Sequence, residues 1–145
     1  MLIVLAACAL LLVSTTAIHC EVLRRLNTWL PSVRIPDRMK LVVVILGAFV
    51  AHAAEMALYG FTLYVLIGWL GVGRLEGTAG FSLASCMHLS AESFTTLGFG
   101  DLTPVGPVRL LAGVEALNGL LLIGWSASFT YIAMQRFWVP PAEPG

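Results

Sequence analysis

The sequence predicts an all-α integral membrane protein with three transmembrane helices, a short re-entrant helix and a loop that returns from it. Three observations predict this. The chain of 145 residues is 59% hydrophobic and only 11% charged, and its mean hydropathy of +0.91 places it in the membrane class. Its apolar residues gather into three long runs, 2–18, 41–70 and 108–134. Between the second and third run, a stretch too short to cross a bilayer leads straight into TTLGFGD, Thr95 to Asp101.

The first element is an extra N-terminal helix, 1–19. Its run LIVLAACALLLVSTTAI holds no charge, and seventeen helical residues reach roughly 26 Å, enough for a thin span. A signal peptide is the rival reading. It fits poorly, because no Lys or Arg precedes the apolar run, and its removal would leave the orientation of the rest unchanged.

Residues 20–40 read as a basic cytoplasmic loop. Arg24, Arg25, Arg34, Arg38 and Lys40 stand against Glu21 and Asp37, a surplus of positive charge on a loop short enough to set orientation. Pro31 and Pro36 break helix there, and Asp37 is placed to cap the second helix. That outer helix, 41–70, is longer than a bilayer requires, so it tilts or projects. Trp29 and Trp69 are expected as interfacial anchors.

Residues 71–81 are glycine-rich and read as an outside loop. Residues 82–94 span only about 20 Å as a helix, too little to cross, and are too polar to face lipid. A helix that dips in and turns back fits, because irregular backbone at membrane depth must be buried in protein or line a wet cavity. Pro107 suits the start of the inner helix, 108–134. The tail, 135–145, is expected in the cytoplasm, with Arg136 and Trp138 at the exit and no structure past Pro140. The N-terminus is then outside, the basic loop inside and the short helix entered from outside, in a multi-pass protein of the cell (plasma or inner) membrane.

Span, short helix, TTLGFGD, span: this order resembles the pore module of potassium channels over residues 41–134. Thr96, Leu97, Gly98, Phe99, Gly100 and Asp101 match the T-x-G-[YF]-G-D signature of that family, with the usual Thr95 before it. The chemistry demands such residues. A dehydrated ion must see oxygens in place of water, and rings of backbone carbonyls supply them if all point to one axis. Glycines at 98 and 100 permit the positive φ that turns alternate peptides inward. The resemblance implies potassium ions bound by the carbonyls of Thr96, Leu97, Gly98 and Phe99 and by the Thr96 hydroxyl, with Leu97 and Phe99 packed behind the strand. It also implies a homotetramer in the lipid bilayer, since one chain supplies one strand of the ring.

By the same resemblance, Glu92 shares a proton or water with Asp101 behind the filter, and one of the two carboxyl pKa values should rise. Phe99 departs from the commoner Tyr, and the helix positions that would grip a hydroxyl are His88 and Leu89, so the outer brace must differ. Gly119 matches the hinge glycine of the family, and Leu120, Ile123, Ala127 and Tyr131 recur on the face expected to line the pore. Close helix packing is the other role open to Gly119. His52, Glu55, Glu115 and Asn118 lie within the spans, where polar groups face the protein interior. They are expected to form one interhelical hydrogen-bonded cluster, a proton or metal sensor being the lesser reading.

The function expected is passive potassium conduction. The rivals are a non-selective monovalent cation channel, a pore-loop transporter, which would carry four fused units, and a non-conducting auxiliary subunit. A formal charge of zero argues against nucleic acid. Cys8, Cys20 and Cys86 follow no metal or redox spacing and read as small apolar residues, although a Cys8–Cys20 pair is left open. No nucleophile–base set appears, so no enzyme and no organic cofactor are expected. No span carries the repeated arginines of a voltage sensor, so gating is expected in the pore, in the first helix, in lipid or voltage acting on the filter, or in partners.

Overall fold

The computed structural model describes residues 1–138, with only the backbone of Trp138. The part of the expected tail at 139–145 lies outside the described residues. In chain order the elements are α1 (Leu2–Trp29), a single 3-10 turn (Leu30–Ser32), α2 (Asp37–Gly68), β1 (Arg74–Gly77), α3 (Leu83–Phe94), β2 (Leu102–Val105) and α4 (Val108–Trp138). Helices dominate. The segments Leu2–Ser32, Asp37–Gly68 and Val108–Phe137 are long and apolar enough to cross a membrane. At twelve residues, α3 reaches only about 18 Å.

The first helix runs ten residues past its expected end. Residues 20–29 hold neither Pro nor Gly, and Glu21 binds Arg24 and Arg25 one turn on, at 2.8 and 2.7 Å, pairs that support an exposed helix. Pro31 is the first breaker, so the expected loop of 20–40 contracts to the few residues around it. Asp37 is not the cap of α2: Pro36 occupies that position and Asp37 is the first helical residue, paired with Lys40 at 3.0 Å.

The outer loops carry an antiparallel two-stranded ribbon that the sequence did not announce, with Arg74 opposite Val105 and Gly77 opposite Leu102. Pro104 is tolerated in β2 because a two-stranded ribbon has a free edge. The ribbon joins the end of α2 to the start of α4 and brackets α3.

The helices share one apolar core. Val4, Cys8 and Leu11 of α1 meet Tyr59, Leu63 and Leu66 of α2, Cys86 and Leu89 of α3, and Leu111 of α4. A smaller cluster of Leu30, Val44 and Ala133 closes the end near the α1–α2 turn. Cys8, Cys20 and Cys86 are all free thiols. Large apolar side chains such as Leu10, Val13, Phe49 and Val50 stay exposed, as lipid-facing positions do.

Candidate functional site

The short helix α3 starts on a true cap: the Ser82 hydroxyl accepts from the Ser85 amide at 3.0 Å. At its other end the backbone tightens. The amides of Thr95, Thr96 and Leu97 donate to the carbonyls of Ala91, Ser93 and Glu92 at 3.2, 3.0 and 2.9 Å, and the Thr95 hydroxyl caps the Ala91 carbonyl at 2.7 Å. The chain then leaves as an exposed segment without regular secondary structure, 95–100.

Within that segment the left-handed region is entered at every second residue: φ is 57° at Thr96, 56° at Gly98 and 79° at Gly100. Glycine accepts this freely. A β-branched threonine does not, and Thr96 is the only non-glycine with positive φ among the described residues. Strain of ~1–3 kcal/mol at such a position persists only where the surrounding structure over-determines the backbone. Alternation with period two undoes the normal alternation of carbonyls along a strand, so successive peptides are free to present oxygen to one side.

Leu97 and Phe99 are 60% and 67% exposed in the single chain, where packing behind the strand was expected. The Phe99 ring does stack on His88, with centroids 6.3 Å apart and planes inclined by 11°.

Behind the segment, Glu92, Asp101 and His88 each place one polar atom within 4.8 Å of the others. His88 Nε2 is 2.7 Å from Glu92 Oε1 and 3.7 Å from Asp101 Oδ2. The first is an ion-pair distance and not an aligned hydrogen bond, and Glu92 Oε1 and Asp101 Oδ1 have no hydrogen-bond partner. Burial, followed by the neighbouring charge of Asp101, pushes the Glu92 carboxyl above its ordinary value.

The inner helix α4 crosses the C-terminal end of α3 at Gly119. A Cβ there would collide with the Phe94 carbonyl oxygen and lie 2.8 Å from its carbon, so Gly119 serves close packing of the two helices. Leu120, Ile123, Ala127 and Tyr131 are exposed, on a face turned away from buried Glu115, Asn118, Leu122 and Ser126.

The four polar residues expected in one cluster belong to separate networks, because α2 and α4 bring different levels together. Glu115 meets the Ser90 hydroxyl of α3, which also lies 2.7 Å from the Met56 carbonyl. Asn118 donates to Thr15 Oγ1 at 2.8 Å and to the Tyr59 hydroxyl at 3.3 Å. His52 and Glu55 join neither of these. Glu55 instead binds two imidazoles, His19 Nδ1 through Oε1 at 2.9 Å and His52 Nδ1 through Oε2 at 3.0 Å.

The remaining nitrogens of both rings converge on Ser126 Oγ, His52 Nε2 at 3.1 Å and His19 Nε2 at 3.2 Å. Glu55, His19, Ser126 and His52 therefore form a closed ring of four contacts. Donor counting fills it with four protons at zero net charge: each group donates one bond and accepts one, or an imidazolium faces the carboxylate. Such closure suits an apolar surrounding, where an unpaired polar group is costly. His19 and Ser126 were missed in the sequence. The signal was present: Val4, Cys8, Leu11, Thr15, His19 and Leu23 recur at helical spacing on the buried face of α1.

A sequence-family model described as "Ion channel" matches residues 39–136. No curated protein and no solved structure gives a significant match. The match takes in α3, the left-handed segment and nearly all of α2 and α4, which is the arrangement that the geometry singles out. The chain belongs to this ion-channel family, and it is a membrane protein that conducts ions and not an enzyme.

Proposed function

We propose that four copies of the chain surround a common axis in the cell membrane and conduct potassium ions passively along it. The observation that carries this reading is the left-handed backbone at Thr96, Gly98 and Gly100 in an exposed segment. The carbonyls of Thr96, Leu97, Gly98 and Phe99, with the Thr96 hydroxyl, replace the hydration shell of the ion, and symmetry completes each ring of oxygens. The C-terminal end of α3, just before the segment, carries about half a negative charge and favours a cation nearby. Neighbouring copies cover the exposed Leu97 and Phe99. Leu120, Ile123, Ala127 and Tyr131 of α4 line the route below, where an apolar face suits a gate that closes by dewetting.

The purified chain in liposomes under a potassium gradient, with sodium in parallel, tests the reading. Selective potassium flux from a four-copy particle is the expected result; a conducting dimer or a monomeric particle contradicts it. One observation favours a second reading, a non-selective monovalent cation channel. Phe99 has no hydroxyl to tie the segment to its surroundings, and its ring stacks on the exposed imidazole of His88. Equal sodium and potassium flux would establish that alternative.

A further inference from the structure

We propose that His19, His52 and Glu55 form a binding site for one divalent transition-metal ion of the zinc type, within the membrane-embedded part of the fold. The three residues offer one ligand atom each within a 4.8 Å sphere. Two imidazoles and a carboxylate are a common donor set of zinc sites with an open fourth position. Imidazole selects zinc, copper or nickel over magnesium and calcium, which take oxygen.

His19 Nδ1 lies 2.9 Å from Glu55 Oε1 and His52 Nδ1 3.0 Å from Glu55 Oε2, so each imidazole meets its own carboxylate oxygen, whereas tetrahedral zinc holds its ligands about 3.3 Å apart, given metal–ligand distances near 2 Å. Spreading each pair by a few tenths of an ångström makes room for the ion between the carboxylate and the two rings. Ser126 Oγ, beside the Nε2 atoms of both rings, lies across the imidazoles from the metal-facing Nδ1 atoms and leaves the fourth position open. Each imidazole keeps its second nitrogen for an outer partner, as metal-bound histidines do. The way in is from the His52 side, 17% exposed, since His19 and Glu55 are fully covered.

The exchange balances. The ring holds four protons at zero net charge. The metal-bound set keeps one N–H on each imidazole and the Ser126 O–H, three in all, with Glu55 ionised. One proton leaves for each divalent ion that enters. The ligands come from α1 and α2 while Ser126 belongs to α4, so the ion would fasten the N-terminal helix to the other two spans.

The full chain, purified in detergent, is titrated with Co²⁺, and the visible bands of tetrahedral cobalt are followed, with Zn²⁺ as competitor. Glu55→Gln is the decisive variant. Its amide can donate to one imidazole and accept from the other, so the ring closes and the fold survives while the anionic ligand is gone. Expected is one Co²⁺ per chain with one proton released, affinity at least tenfold weaker in Glu55→Gln, and loss in His52→Ala. The His88, Glu92 and Asp101 group is the other metal-capable cluster among the described residues, so binding must persist in His88→Ala. No tetrahedral spectrum, or one that survives His52→Ala but is lost in His88→Ala, overturns the proposal. Should Glu55→Gln fail to fold, His52→Gln at the half-open rim decides by the same criterion.

Discussion

His19 Nδ1 lies 2.9 Å from Glu55 Oε1, with both side chains fully buried and a separation of 36 residues in the chain. This contact fastens the N-terminal helix to the ion-channel part of the molecule, which the family match covers from residue 39 onward. Removing Glu55 as Glu55→Ala leaves two imidazole nitrogens buried without a partner, a cost of ~1–3 kcal/mol for each unmade bond. Glu55→Gln keeps the ring closed and is expected to unfold within a few degrees of the parent. Thermal unfolding in detergent, with both variants side by side, measures the difference, and equal loss in the two would refute the closed ring.

Gly119 distinguishes packing from hinging. An added methyl would collide with the Phe94 carbonyl, so α4 must move away from α3, and overpacking of this kind costs ~1–3 kcal/mol or more. Gly119→Ala is expected to lower thermal stability clearly, whereas Gly113→Ala and Gly124→Ala, which meet open space, should not. A stable Gly119→Ala protein with altered opening kinetics would instead identify a hinge.

Gly98→Ala meets no steric neighbour in the single chain, but its φ of 56° costs an L-residue ~1–2 kcal/mol. The chain should fold and insert normally while ion flux or selectivity collapses, because the peptide that must turn its carbonyl relaxes toward ordinary strand geometry. Liposome flux set against expression yield reads both halves of this prediction; unimpaired selective flux would remove the 95–101 segment from the ion path.

Glu92 supplies a pH signature. Its carboxyl is raised above the ordinary carboxylate value by burial and by Asp101. Between the ordinary and the raised value the folded state therefore binds more protons than the unfolded one. Stability is fully present below the ordinary value and falls as pH rises through the raised one. Glu92→Gln, neutral throughout, should flatten that decline. Unfolding temperature measured from acid to neutral pH checks the sign, and an unchanged slope would assign the dependence to groups other than Glu92.

Much of the architecture was legible because membrane insertion writes directly into sequence. The apolar runs 2–18, 41–70 and 108–134 find their low-energy place in a bilayer, and the 82–94 stretch, too short to cross, was legible as a separate short helix. The left-handed positions at Gly98 and Gly100 were legible for the same local reason, since glycine is the residue that adopts them without strain. Helix ends were less so. The reach of α1 to Trp29 depends on Glu21 pairing with two arginines, and the β1–β2 ribbon depends on two loops meeting across about thirty residues of chain.

By itself, then, the sequence determined the membrane class, the order of spans around a short helix and the identity of the exposed glycine-bearing segment, because hydropathy and backbone freedom are properties of single residues and their neighbours. Only the tertiary structure decided which polar side chains meet. His52 and Glu55 were expected to share an interhelical cluster with Glu115 and Asn118 and instead close a ring with His19 and Ser126, while Asn118 turns to Thr15 and Tyr59. Such pairings depend on the rotation and relative depth of packed helices, which are set by every contact along their length and not by any one stretch of residues.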